Sequence, residues 1–209
     1  WFRILMNSVY DFIIKPLGER YNNKVNIDNK ELIINSSISD HKFVNRLAKV
    51  VSIPLAIKTN IKINDIVIVH HNLFRRYYNM KGESVNGSKY FKDDLYFASE
   101  SQIYLYNNGI WNTNKDFCFI KPLQENNEFS VEKVKKNVGI LKYGNSSLEV
   151  LGITTGDVVG FKSNREFEFV VDKQLLYCME SNDILIKYEH EENQREYNPS
   201  WAESGRRIN

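Results

Sequence analysis

Phe12-Ile13-Ile14-Lys15-Pro16-Leu17 returns later in the chain as Cys118-Phe119-Ile120-Lys121-Pro122-Leu123. Two further segments recur after each copy, in the same order. Ile63-Asn64-Asp65-Ile66-Val67-Ile68-Val69 is matched by Thr155-Gly156-Asp157-Val158-Val159-Gly160-Phe161, and Leu95–Leu105 pairs without a gap with Leu176–Ile186. Short apolar runs are common, so one such pair could be chance. Three pairs in register order across both halves indicate an internal duplication, and every later reading changes with it.

At 209 residues the chain has room for two domains of roughly 70 to 100 residues each. The expected division is a first domain over 1–106, a linker over 107–116, a second domain over 117–190 and a C-terminal tail over 191–209. The linker assignment rests on Asn107-Asn108-Gly109 and the polar run to Asp116; the tail is charged, broken by Pro199 and expected to be weakly ordered. Composition is that of a folded protein, 42% apolar and 26% charged. The 28 basic residues nearly balance the 26 acidic ones, which gives no reason to expect a nucleic-acid partner. No apolar stretch approaches the roughly 18 residues of a membrane span, and Trp1–Met6 lacks the features of a signal peptide. A cytoplasmic protein with no membrane partner is expected.

Helical periodicity is nearly absent, whereas β-branched or aromatic runs recur between Asn, Gly, Ser and Asp clusters, the rhythm of a β-barrel or sandwich. In the first copy, strands are expected at Phe12–Leu17, Leu47–Ser52, Ile66–His70, Tyr90–Phe97 and Gln102–Tyr106. In the second they are expected at Phe117–Leu123, Val138–Lys142, Val158–Phe161, Phe167–Val171 and Ile184–Tyr188.

The copies differ most after their first strand. There the first copy holds roughly sixteen extra residues, a polar segment over Gly18–Lys42 that contains the aliphatic triplet Leu32-Ile33-Ile34. A long loop of this kind is disordered or functional, and three adjacent aliphatics in it would be an exposed liability unless something binds them. The competing reading is a strand tucked into the fold. The triplet's position after the repeated strand, and its absence from the other copy, favour docking to a partner through Leu32, Ile33 and Ile34.

Other motifs carry less. Phe74-Arg75-Arg76-Tyr77-Tyr78 interleaves basic and aromatic residues as nucleic-acid platforms do, but an exposed hairpin with cross-strand Arg and Tyr neighbours needs no nucleic acid, and the nearly balanced charge favours that reading. Adjacent strand residues face opposite sides, so His70 and His71 are not expected to share a metal. Cys118 and Cys178 lack metal or redox spacing. Gly144-Asn145-Ser146-Ser147 reads as a turn, with no helix signal after it, rather than a nucleotide loop. No catalytic constellation is recognisable, so no enzyme activity, cofactor or metal is expected.

Ile14-Lys15-Pro16-Leu17-Gly18-Glu19-Arg20 resembles the N-terminal strand of the GroES co-chaperonins, the ring-forming lids of group I chaperonins. Asn64-Asp65-Ile66-Val67-Ile68 is similar to their Gly-Asp-Ile/Val-Val stretch, with Asn for Gly, and Ser99-Glu100-Ser101-Gln102-Ile103 resembles their closing Ser-Glu-Ser-Asp-Ile-Leu. In the second copy Ile120-Lys121-Pro122-Leu123, Gly156-Asp157-Val158-Val159 and Glu180-Ser181-Asn182-Asp183-Ile184-Leu185 resemble the same three elements. The resemblance covers most of residues 11–188. It implies an all-β protein of two tandem GroES-like β-barrels, the first with a mobile loop at about 18–42 whose Leu32-Ile33-Ile34 docks on the chaperonin. It further implies a homo-oligomeric, heptameric ring that caps a GroEL-type chaperonin, encloses an unfolded client, and leaves ATP hydrolysis to that partner. The second copy lacks the triplet and is expected to serve architecture. An Asn- and Lys-rich composition and a trimmed roof segment over Ser52–Lys62 suggest a phage or other viral protein acting in host cytoplasm. The alternative is a GroES-fold structural or assembly protein, a virion or scaffold component that does not bind a chaperonin.

Overall fold

A computed structural model describes residues 7–27, 30–33, 37, 40, 43–125, 134–189 and 194–203. It divides into two compact units, residues 1–111 and 112–209. The first unit contains β1 (Phe12–Pro16), β2 (Lys24–Ile27), β3 (Lys30–Ile33), β4 (Leu47–Ser52), β5 (Ile66–Val69), β6 (Arg76–Tyr78), β7 (Ser84–Asn86), β8 (Tyr96–Ala98) and β9 (Ile103–Asn107). A short β10 (Trp111–Thr113) follows at the division, inside the segment expected to be a linker. The second unit contains β11 (Phe117–Gln124), β12 (Val134–Tyr143), α1 (Ser146–Val150), β13 (Val158–Phe161), β14 (Phe167–Val171), β15 (Gln174–Glu180), β16 (Ile184–Lys187) and α2 (Ser200–Glu203). The protein is all-β.

The main sheets run β10-β9-β5-β4-β1-β8 and β14-β15-β11-β12-β13-β16. Among the described residues each is open, its end strands unpaired with one another, so neither closes into a hydrogen-bonded barrel. Reading the first order backwards superimposes five strands: β8, β1, β4, β5 and β9 take the places of β15, β11, β12, β13 and β16. We call positions matched in this way twins.

The repeat extends to the register. Phe12, Ile13 and Ile14 stand opposite Ala98, Phe97 and Tyr96, and their twins Cys118, Phe119 and Ile120 stand opposite Met179, Cys178 and Tyr177. The β1–β4 irregularity between Ile13 and Ile14 recurs in β11–β12 between Phe119 and Ile120. A register shift between Ile68 and Val69 likewise recurs between Gly160 and Phe161. Register in a half-buried sheet is set by which alternate side chains face the core. Here those are Phe12, Ile14, Val50, Val67, Val69 and Ala98 in one core and Cys118, Ile120, Leu141, Val159, Phe161 and Met179 in the other. A large–small pair, Phe12 and Ala98, becomes a small–large pair, Cys118 and Met179, which keeps the cross-strand volume similar.

The turn before β5 and β13 explains the Asn/Gly-Asp pattern. Asp65 Oδ2 accepts from the Lys62 amide at 2.8 Å, and Asp157 Oδ2 accepts from the Thr154 amide at 2.7 Å. The backbone then crosses to the neighbouring strand identically. The amides of Asn64 and Gly156 donate to the carbonyls of Val50 and Leu141 at 2.8 Å, and the amides of Val50 and Leu141 donate to the carbonyls of Asp65 and Asp157 at 2.9 Å.

Several expectations need correction. Tyr90–Phe97 is not one strand: Tyr90 makes an isolated bridge to Tyr96, and the strand is Tyr96–Ala98. Gly144-Asn145 is followed by a helix, because the Asn145 side chain caps α1 by accepting from the Leu148 amide at 3.2 Å. The tail is seated over its described residues, 194–203, with Ala202 fully buried. Residues 126–133, most of the short loop expected in the second copy, lie outside the described residues.

Candidate functional site

The first-copy insertion is rooted before it becomes exposed. Asn45, 3% exposed, donates through Nδ2 to the carbonyls of Leu17 at 2.9 Å and Glu19 at 2.8 Å and accepts from the Leu47 amide at 2.9 Å. The Asn45 amide donates to the Arg20 carbonyl at 2.8 Å, and the Asn22 amide donates to the Phe43 carbonyl at 2.7 Å. A buried amide with its donors and acceptors matched fixes the two ends of the segment together.

Beyond that root, Lys24–Ile27 and Lys30–Ile33 form β2 and β3, strands where the sequence reading expected a mobile loop. β2 and β3 pair antiparallel, with Val25 opposite Leu32 and Lys24 opposite Ile33, as a two-stranded sheet separate from the main one. The Lys-Val-Asn-Ile and Lys-Glu-Leu-Ile runs contain enough β-branched and aliphatic residues for a short ladder. Leu32 is 51% exposed and Ile33 63% exposed. Neighbours on a strand face opposite sides, so the ribbon presents an aliphatic group on each face. Ile34, the third member of the triplet, lies outside the described residues.

A second hairpin confined to the first copy, β6–β7, pairs Arg76 with Asn86 and Tyr77 with Val85. Its strands are exposed throughout, with the Arg75 guanidinium 5.3 Å from the Tyr77 ring centre. Arg20 joins the bases of the two insertions. Its Nε and Nη2 donate to the Phe74 carbonyl at 3.0 and 2.8 Å, and Nη1 donates to Asn86 Oδ1 at 2.6 Å. Beside it the Arg76 amide donates to the Tyr21 hydroxyl at 2.7 Å. The Arg20 guanidinium lies 5.3 Å from the Tyr96 ring centre. Burial lowers the Arg20 pKa from its ordinary value, with Tyr96 opposing the shift. Burial likewise pushes the Tyr96 phenol up to about 12.

Sequence reasoning placed Arg20 only within a motif and missed its role as a clamp. The signal was available, because both insertions occur in the same copy and Arg20 opens one of them. His70 lies just past β5 and His71 in a 3-10 turn, so the strand argument did not apply to them. Their rings stack at 4.3 Å, and His70 Nδ1 accepts from the Asn72 amide at 3.1 Å. Cys118 is buried, and burial pushes its thiol up to about 12. Among the described residues no group of three or more His, Cys, Asp or Glu could hold a metal ion, and no helix is long and apolar enough to cross a membrane.

No family model matches the chain, and no curated protein matches it in sequence.

Proposed function

We propose that this protein is a co-chaperonin: a ring-shaped, GroES-like lid for a GroEL-type chaperonin that assists ATP-dependent protein folding, with β2–β3 as the docking element. The observation that carries the reading is the exposure of Leu32 and Ile33 on a rooted hairpin, an adjacent aliphatic pair that has no counterpart in the shorter second-copy sequence Gln124–Lys136. Burying a branched aliphatic side chain is worth about 1.5 to 3 kcal/mol before ordering costs. One hairpin therefore binds weakly and reversibly, and several on one ring bind with avidity.

Assembly into a ring is supported by an uncovered edge. β9 has β10 beside it, whereas its twin β16 ends the second sheet among the described residues and exposes Leu185 and Ile186. Leu105 is fully buried; its twin Ile186 is half exposed. An apolar open edge invites pairing with another chain. The proposed ring is homo-oligomeric, with seven chains by resemblance to the family. It acts in the cytoplasm, a host's if the chain is viral, and ATP is bound by the chaperonin.

The test is chaperonin-assisted refolding of a stringent client with ATP, this protein replacing the cognate lid. Wild type should restore client activity, and the double variant Leu32→Ser, Ile33→Ser should not, while keeping the same oligomeric state. Equal activity of the two proteins removes the docking assignment.

A further inference from the structure

His70 is the first residue past β5 and the N-cap of the 3-10 turn His71–Leu73. It caps with its ring. Nδ1 accepts from the Asn72 amide at 3.1 Å, which requires a neutral imidazole with its proton on Nε2. A serine or asparagine oxygen, the usual cap, stays an acceptor at every ordinary pH. A histidine does not: a proton on Nδ1 replaces the lone pair with an N–H that faces the Asn72 N–H. The ring cannot easily turn aside, because the His70 amide donates to the Gln102 carbonyl at 2.9 Å and the His70 carbonyl accepts from the Leu73 amide at 3.1 Å.

Three described groups face the ring. His71 stacks on it, Tyr104 of β9 lies with its ring centre 6.2 Å away, and the Arg46 charge opposes a proton on it. Burial and then Arg46 lower the His70 pKa from its ordinary value. Folding thus favours the neutral ring, and its contribution is complete above the ordinary histidine range and lost as pH falls through the lowered folded value. The capped turn runs straight into the clamp. Leu73 and Phe74 are buried, the Phe74 carbonyl accepts from Arg20 Nε and Nη2, and the Arg76 amide donates to the Tyr21 hydroxyl. In the second copy Lys162, the twin of His70, keeps the backbone bond, to the carbonyl of Asp183, but its Nζ meets Asp183 Oδ1 at 3.1 Å. That lysine stays charged through the range in which a histidine titrates.

We propose that His70 is a proton-operated latch of the first copy: protonation of Nδ1 releases Asn72, loosens the turn that presents the Phe74 carbonyl to Arg20, and so frees the joined bases of β2–β3 and β6–β7. At neutral pH the latch is closed and the two hairpins share a fixed root. In mild acid the root opens while the second copy, with a lysine in that place, is unaffected. The proposal does not depend on what the β2–β3 hairpin binds.

Hydrogen exchange of the full-length protein, read by mass spectrometry between about pH 7.5 and 4.5, follows both events: exchange at the imidazole C2 position reports the titration of His70, and amide exchange reports the root. Protection of the amides over 72–78, corrected for the intrinsic effect of pH, should fall about fivefold as His70 titrates, the equilibrium weight of one N-cap. The amides of β13 should keep theirs. His70→Asn, which retains a capping oxygen and cannot titrate, should make the protection over 72–78 independent of pH, and His71→Asn should leave the fall in place. Should His70→Asn fail to fold, His70→Ser offers the same acceptor. Protection that stays constant through the His70 titration, or that falls equally in the capping variants, overturns the proposal. So does a fall that vanishes in His71→Asn, which would assign the effect to the neighbouring ring.

Discussion

Asn64 and Gly156 hold the same backbone place in the two copies, at φ of 76° and 98° respectively, each at the turn that delivers an aspartate to its capping position. A left-handed conformation costs an ordinary side chain roughly 1 to 2 kcal/mol, less for asparagine and nothing for glycine. Gly156→Ala should therefore destabilise the protein by about 1 to 2 kcal/mol, whereas Asn64→Gly should be neutral or slightly stabilising. Urea denaturation of both variants checks the asymmetry.

The Phe12–Ala98 and Cys118–Met179 pairs occupy one cross-strand site twice. Phe12→Cys alone should open a cavity and cost about 3 kcal/mol, and Ala98→Met alone should overpack at a cost of about 1 to 3 kcal/mol. The double variant, which imports the second copy's solution, should be more stable than the sum of the two losses. A double-mutant cycle by chemical denaturation reads that coupling directly.

Tyr96 is fully buried, and its hydroxyl has no hydrogen-bond partner among the described residues. A buried polar group without a partner is destabilising, so Tyr96→Phe should raise stability by about 1 kcal/mol while preserving the ring contacts with Phe74 and Tyr90. Thermal unfolding at matched pH measures it.

The Asp157 carboxyl is held below its ordinary range, chiefly by its hydrogen bond with Lys187 at 2.7 Å and then by the Thr154 amide. The ionised form favours folding, so this contribution is complete above the ordinary carboxylate range and is lost as pH falls from there through the lowered folded value. Wild type should exceed Asp157→Asn in stability at neutral pH, with the gap narrowing below about pH 4. A pH series of denaturation midpoints for both proteins tests the sign.

Much of this architecture was legible because the repeat carried it. Phe12–Leu17 and Phe117–Leu123 fell within a residue of β1 and β11, and Leu47–Ser52 and Phe167–Val171 matched β4 and β14. The matched segments told which residues of the two copies correspond, and the register of β1 on β8 and of β11 on β15 came only with the structure. Less regular elements were hidden. β2–β3 and β6–β7 are three- or four-residue strands, too short for alternation to stand out against polar surroundings. α1 is a five-residue helix whose start depends on the Asn145 cap rather than on a helical period. The seat of Glu196 beside Leu123 joins residues distant in sequence and left no local pattern to read, and the clamp from Arg20 to Phe74 and Asn86 was signalled only by the two insertions sharing one copy.

The central claim is that a ring of these chains docks on a chaperonin through β2–β3. Native mass spectrometry of the protein with a GroEL-type chaperonin and a slowly hydrolysed ATP analogue tests it most directly. The account predicts a complex of one ring of this protein on one chaperonin end, lost for Leu32→Ser, Ile33→Ser while the free ring persists. A protein that remains monomeric and unbound under those conditions, or a double variant that still caps, would contradict it.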